Sequence, residues 1–249
     1  MDSKLLARII GVLSERVDLL MEDAAAKLNL KSLLLLIEEL CQLCHVQLNH
    51  LDEENISLQC NWVLHRIGEV MLRSVKTGRP LYHALHCWAI VGPTLLKAAC
   101  CSDPAIAKTS VEILRSIISH VLQEQPEPLH FHFNEALFKP FEHVLCRENI
   151  DPDLQDQVMS SLCELVECWS GEIRSGWRPL FACLRRWPPP PQGPTDMCST
   201  NRLIHSENIS TVKEVLAAFV QQGGCNPLIF ANAAMDAILC QLHYLKCYS

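Results

Sequence analysis

A chain of 249 residues with 49% hydrophobic and 20% charged side chains can bury a sizeable core. Only 9 glycines and 6% aromatic residues argue against a β-sandwich rich in tight turns. A formal net charge of −7 without a basic stripe disfavours nucleic acid and anionic lipid as partners.

Apolar residues recur with helical spacing along the chain. The first helix is expected over about Ser3–Leu20, with Leu5, Leu6, Ile9, Leu13 and Leu20 inward. The second spans about Lys31–His50, with a stripe of Leu33, Leu36, Ile37, Leu40, Leu43 and Cys44. Leu34 and Leu35 lie off that stripe, so this helix reads as covered on more than one side. The third runs over about Ser57–Lys76 with Trp62, Ile67, Val70, Met71 and Val75, and Gly78 followed by Pro80 stops it. Gly92-Pro93 predicts a sharp kink or two short helices within Leu81–Cys101.

Asp103-Pro104 opens the next helix, because Asp caps well and Pro at the first position gives up an N–H that has no partner. Ile106, Ser110, Leu114, Ile117, Ile118 and Val121 form its face. Forty-eight positions on, Asp151-Pro152 opens another, with Leu154, Val158, Leu162, Leu165, Val166 and Trp169 at the same offsets. A shared opening and face at one spacing suggest an internal repeat, slightly longer than the roughly 40–47 residues of HEAT and armadillo units. Trp177, Leu180, Phe181 and Leu184 form a further stripe, expected to pack on the helix of Leu162 and Val166. Trp187–Asn208 holds Pro188–Pro191 and no helical period, and reads as a linker or insert. Helices over Thr211–Gln221 and Pro227–Lys246 follow, the latter opened by Asn226-Pro227 and leading into Ile229, Phe230 and Ile238.

The expected fold class is all-α, an α-solenoid of HEAT/armadillo-like repeats. Its divisions are an array over 1–186, a Pro-rich linker over 187–208 and a further hairpin over 209–249. No polar capping helix is evident at either end, so the chain reads as a piece of a longer array.

Chemistry-bearing constellations are sparse. Cys41, Cys44 and His45 match the CxxCH pattern of haem attachment, but they sit in a Leu-rich helix and read as a buried face. His83, His86 and Cys87, or His130 and His132, lack a four-ligand zinc pattern. No GxSxG, Walker A or dinucleotide fingerprint occurs. The 14 cysteines follow a start, MDSKLLARII, without the features of an export signal, so reduced thiols in a cytosolic protein are expected. The longest apolar run, Leu33–Ile37, is too short to span a bilayer. No catalytic residue, cofactor or metal is expected.

Phe131-His132-Phe133, Phe138-Lys139-Pro140-Phe141-Glu142-His143 and Ile173-Arg174-Ser175-Gly176-Trp177 with Leu180-Phe181 carry a resemblance. They resemble the segment downstream of the Sec7 domain in the brefeldin A-inhibited guanine nucleotide-exchange proteins, the large Arf exchange factors. The likeness runs with gaps from about Asn61 to Lys246 and is sharpest between Arg79 and Leu184. It implies a non-catalytic regulatory scaffold of Golgi and secretory-vesicle traffic, cytoplasmic and recruited peripherally to those membranes. The partners it implies are proteins of membrane traffic, among them Arf-family GTPases or the rest of an exchange factor. A general HEAT-type adaptor of another pathway, or an enzyme with a cryptic metal or thiol site, are the alternatives. Phe138, Pro140, Phe141, Gly176, Trp177 and Phe181 are the expected motif core. Arg174 and Arg178, of a residue type enriched at binding hot spots, are the candidate partner surface.

Overall fold

In a computed structural model of the chain, residues 3–50, 56–148, 150–187, 199–223 and 227–246 are described. The described residues are all-α, with ten α-helices, one 3-10 turn and no strand. The chain divides into two compact units, residues 1–125 and 126–249. That boundary falls inside the 1–186 stretch read from sequence as one array.

The first unit contains α1 (Ser3–Lys27), α2 (Leu30–Leu48), α3 (Ile56–Lys76), α4 (Leu81–Ala99) and α5 (Pro104–Glu124). α1 packs on α3 and α3 on α5, while α2 packs on α4. Sequential helices α2 to α5 also pack pairwise, so alternate helices form the neighbours of two layers. The core between them is aliphatic, with Leu33, Ile37, Leu64, Ile67, Met71, Leu95 and Ile106 fully buried.

Local signals explain the helix ends. Asn29 caps α2, its side chain accepting from the Ser32 N–H at 2.9 Å. Gly78 adopts φ +69° just past α3, the left-handed conformation that glycine takes without a Cβ penalty. Asp103 caps α5, accepting from the N–H groups of Ala105 (2.8 Å) and Ile106 (3.3 Å). Its second carboxylate oxygen accepts from Ser57 Oγ at 2.6 Å, tying the start of α3 to the start of α5.

Asp151 occupies the same position before α7 (Pro152–Trp169) but makes no side-chain cap bond. The two Asp-Pro openings are thus alike in sequence and unlike in energy. Asp103→Ala should cost about 1 kcal/mol or slightly more, and Asp151→Ala less than about 0.5 kcal/mol, in denaturant melts. The Ser57 hydrogen bond, and then the capped N–H groups, hold the Asp103 carboxyl below its ordinary range. Its contribution is therefore present at neutral pH and is lost as pH falls through that depressed value. Equal losses in the two alanine variants would refute this distinction.

The second unit contains α6 (Phe133–Leu145), α7, a 3-10 turn at Arg174–Gly176, α8 (Trp177–Arg186), α9 (Ser199–Gly223) and α10 (Pro227–Lys246). α8 packs between α6 and α10, while α7 makes only light contact with α9 and with α8 alike. α7 and α8 touch only slightly, so the Trp177 stripe does not seat mainly on α7 as its sequence neighbourhood suggests. It faces α6, α10 and Phe219 of α9 instead.

Several sequence expectations are corrected. α4 runs unbroken through Gly92-Pro93. Pro93 is exposed, and so is Ala89, whose carbonyl loses its helical donor to the proline and can be hydrated. Buried Trp88, Val91, Leu95 and Ala98 hold both halves in line. α9 begins at Ser199, inside the stretch expected to be irregular, whereas residues 188–198 lie outside the described set. α1 extends to Lys27, and its expected stripe faces outward: Ile9, Leu13 and Leu20 are 44%, 59% and 64% exposed. Leu5 and Leu6 lie outside the described side chains. The part of α1 packed on α3 is nearer its C-terminus, around Ala25. Leu43 and Leu35 are exposed, since the single buried line of α2 is Leu33, Ile37, Leu40, Cys41 and Cys44. Trp62 is also exposed, with the Arg66 guanidinium 5.1 Å above its ring. In α10 the inward line is Ala233, Ala237, Cys240 and Tyr244; Ile238 is 50% exposed, whereas Phe230, 38% exposed, stacks on buried Phe219 at 5.3 Å, and the Ile229 side chain lies outside the described set.

Candidate functional site

α6, the 3-10 turn and α8 converge on an aromatic core. Phe138, Phe141, Trp177 and Phe181 are each 0% exposed, and Pro140 and Gly176 are buried with them. Trp177 stacks on Phe181 at 5.7 Å, and Phe219 meets both rings edge-on at 5.3 and 5.1 Å. Phe138 meets Phe141 edge-on at 6.5 Å. All six residues expected as motif core therefore sit in the interior of this unit. Pro140 leaves the α6 helix intact, and Pro179 lies in the first turn of α8, where its missing donor is harmless.

Gly176 is required by the Phe138 ring. A Cβ there would stand 2.7 Å from Cδ2 and 2.9 Å from Cε2 of Phe138, and 3.2 Å from Ile173 Cγ2. The ring is fully buried and cannot swing away. Gly176→Ala should cost about 1–3 kcal/mol by overpacking, measured by chemical denaturation. Phe138→Leu in the same chain should recover part of that loss, and no recovery would show that the ring is not the obstacle.

Beneath the 3-10 turn lies a polar knot that sequence reasoning missed. Glu127, 3% exposed, accepts from the Asn134 N–H at 2.7 Å and from Ser175 Oγ at 2.6 Å with one oxygen. Its other oxygen accepts from the Ser175 N–H at 3.1 Å. Ser175 Oγ in turn accepts from the Glu135 N–H at 2.9 Å. The Asn134 side-chain amide donates to the carbonyls of Glu172 (2.8 Å) and Ile173 (3.2 Å). These bonds fasten the start of α6 to the turn that launches α8. The only local signal for Glu127 is its position between Pro126 and Pro128, which marks a break and not a burial site.

The two candidate arginines differ. Arg174 takes φ +46°, and its guanidinium donates to the Glu127 carbonyl oxygen, with Glu172 at 3.5 Å. It holds the polar knot together. Arg178 is half exposed, its side chain 51% accessible, and lies 3.6 Å from Glu135 of α6 and 3.5 Å from Asp236 of α10. Arg185 also reaches Asp236, at 3.4 Å, and Lys139 pairs with Glu135 at 3.2 Å. The outer edge of α6, α8 and α10 is thus a mixed-charge strip around Arg178.

Cys41 and Cys44 point into the core of the first unit, with Cys44 Sγ 4.0 Å from Cys60 Sγ, while His45 Nε2 lies 3.2 Å from Thr94 Oγ1. Among the described residues, no three His, Cys, Asp or Glu side chains are grouped to hold a metal ion. No described helix is long and apolar enough to cross a membrane.

Residues 122–187, which hold the aromatic core and its polar knot, match the family described as Sec7-like HDS, Mon2/Sec7/BIG1-like. The chain is 35% identical over 270 aligned positions to brefeldin A-inhibited guanine nucleotide-exchange protein 3 of Mus musculus and of Homo sapiens, covering 96% of this chain and 12% of the relative. Protein 1 of the same name from Rattus norvegicus is 30% identical over 95 residues, 38% of this chain and 5% of the relative. The ADP-ribosylation factor guanine nucleotide-exchange factor sec71 of Schizosaccharomyces pombe is 27% identical over 121 residues, 49% of this chain and 6% of the relative. No solved structure matches the chain. The resemblance carried by Phe138–His143 and Ile173–Trp177 therefore extends along nearly the whole chain, which is a relative of one segment, 12% of the length, of a brefeldin A-inhibited guanine nucleotide-exchange protein.

Proposed function

We propose that this chain is a non-catalytic α-solenoid scaffold that serves as a regulatory region of an Arf guanine nucleotide-exchange factor in Golgi and secretory-vesicle traffic. The observation that carries this reading is the likeness over 96% of the chain to a protein named for guanine nucleotide exchange. Alternate-helix packing in each unit, α1–α3–α5 with α2–α4 and α6–α8–α10 with the lighter α7–α9 contact, supports the solenoid. Its partners are proteins of membrane traffic: Arf-family GTPases or the remainder of an exchange factor. Its place is the cytoplasm, with peripheral recruitment to Golgi or secretory-vesicle membranes through those partners. Arg178 is the partner contact on its surface, and Arg174 positions the turn beside it.

Two measurements test the reading. The purified chain alone should leave nucleotide release from Arf proteins at its background rate, while immobilised chain should capture Arf or an exchange domain of the family. Arg178→Ala should weaken that capture by more than about 1 kcal/mol with the fold unchanged. Acceleration of release that follows the chain through chromatography would refute the non-catalytic reading. Failure to capture either protein would refute the regulatory one.

A further inference from the structure

An open cleft of about 660 Å³ lies between α7 and α9, away from Arg178. Its floor is apolar: Met159, Val166, Trp187 and Val215 line it and are themselves buried. Its rim is acidic. Exposed Asp156 and Glu167 come from α7 and exposed Glu214 from α9, and none of the described lining residues is Lys, Arg or His. α7 reinforces that sign, for Pro152–Trp169 carries Asp153, Asp156, Glu164 and Glu167 and no basic residue. The half-buried Cys163 thiol, also lining the cleft, responds to the same field. Burial pushes it up to about 11, and Glu167, Glu214 and Glu164 add to the shift, so carboxylates converge on it from both helices.

We propose that this cleft is the docking groove for a basic amphipathic helix of a partner protein. The apolar face of that helix lies over Met159, Val166, Trp187 and Val215, which keep only 2–7% exposure, so recognition rests mainly on its Lys or Arg residues meeting exposed Asp156, Glu167 and Glu214. Charge complementarity selects this occupant: an acidic helix, a nucleic acid or an anionic lipid surface would set like charges against the rim. The inference stands on the cleft alone and does not depend on the Arf-linked reading, so either can fail without the other.

The probe is a synthetic helical peptide with leucines on one face and lysines on the other, compared with its glutamate counterpart. The lysine peptide should bind the full chain at least about tenfold more tightly than the glutamate peptide. Asp156→Asn, Glu167→Gln and Glu214→Gln together should weaken it about tenfold, with an unchanged melting transition. Glu38→Gln, Glu39→Gln and Glu124→Gln remove the same charge from exposed positions of the first unit and should leave affinity within about twofold. Bound peptide should also slow alkylation of Cys163 by iodoacetamide, read residue by residue by mass spectrometry. Equal weakening by both triple variants, or an unprotected Cys163, would overturn the proposal. So would a dimer that the cleft variant dissociates, which would make a second copy the occupant. Faster Cys163 alkylation after deletion of residues 188–198 would instead assign the cleft to that segment of the chain and equally overturn it.

Discussion

Trp177→Ala is expected to destabilise the second unit by about 3–5 kcal/mol, the cost of lost aromatic burial plus the cavity left behind. Trp177 is 0% exposed and joins two other rings: Phe181 stacks on it and Phe219 of α9 meets it edge-on. Phe181 and Phe219 also contact each other, so removal of the indole opens a void bounded by rings that cannot all collapse into it. A loss of that size is a large fraction of the 5–15 kcal/mol by which a domain is ordinarily stable. Arg178→Ala, one residue away, should cost less than about 1 kcal/mol, because its two ion pairs are long and its side chain is half exposed. Denaturant melts of both variants, paired with partner capture, separate folding from recognition. If Trp177→Ala keeps its stability and loses its partner, the indole belongs to the binding surface.

The contrast between these neighbours was legible in the sequence because periodicity reports which side of one helix is apolar. Trp177, Leu180, Phe181 and Leu184 share a face, and all four are buried. Periodicity does not report which helix covers that face. Sequence neighbourhood points the stripe to α7, whereas α6 and α10 lie against it. Helices stacked in alternating layers meet partners two elements away, and single-helix patterns carry no record of that. The outward stripe of α1 shows the same limit. Ile9, Leu13 and Leu20 have correct helical spacing, yet α1 turns a different side toward α3.

Proline position predicts helix starts better than helix ends. Pro104, Pro152 and Pro227 each open a helix as their positions predict. Pro93 does not end one, because an exposed proline costs a helix only a bond whose acceptor can turn to water. The aromatic motif core was visible as residue types in a recognisable order. The polar knot under it was not, because Glu127, Asn134 and Ser175 are separated in sequence and each resembles an ordinary surface residue. A buried carboxylate is identified by the donors around it, and those donors are backbone groups supplied by the fold.

Glu127→Ala is therefore expected to cost about 3 kcal/mol or more, although no hydrophobic contact motivates it. The substitution leaves the N–H groups of Asn134 and Ser175 without their acceptor in a buried setting, and frees Ser175 Oγ from its own. Each buried donor left unmatched costs about 1–3 kcal/mol. The hydroxyl can rotate toward another acceptor, so the full sum should not appear. Glu127→Gln offers a finer test at nearly constant volume. Its amide oxygen can keep the two bonds to Asn134 and Ser175 Oγ, but its NH₂ then faces the Ser175 N–H, donor against donor. The glutamine variant should thus fall between wild type and alanine, near a loss of about 1–2 kcal/mol. Asn134→Ala should show partial non-additivity with Glu127→Ala, because both release the same start of α6 from the same turn. Chemical denaturation of the four chains forms a double-mutant cycle. Strictly additive losses, or a glutamine variant as unstable as alanine, would show that the carboxylate does not anchor the launch of α8.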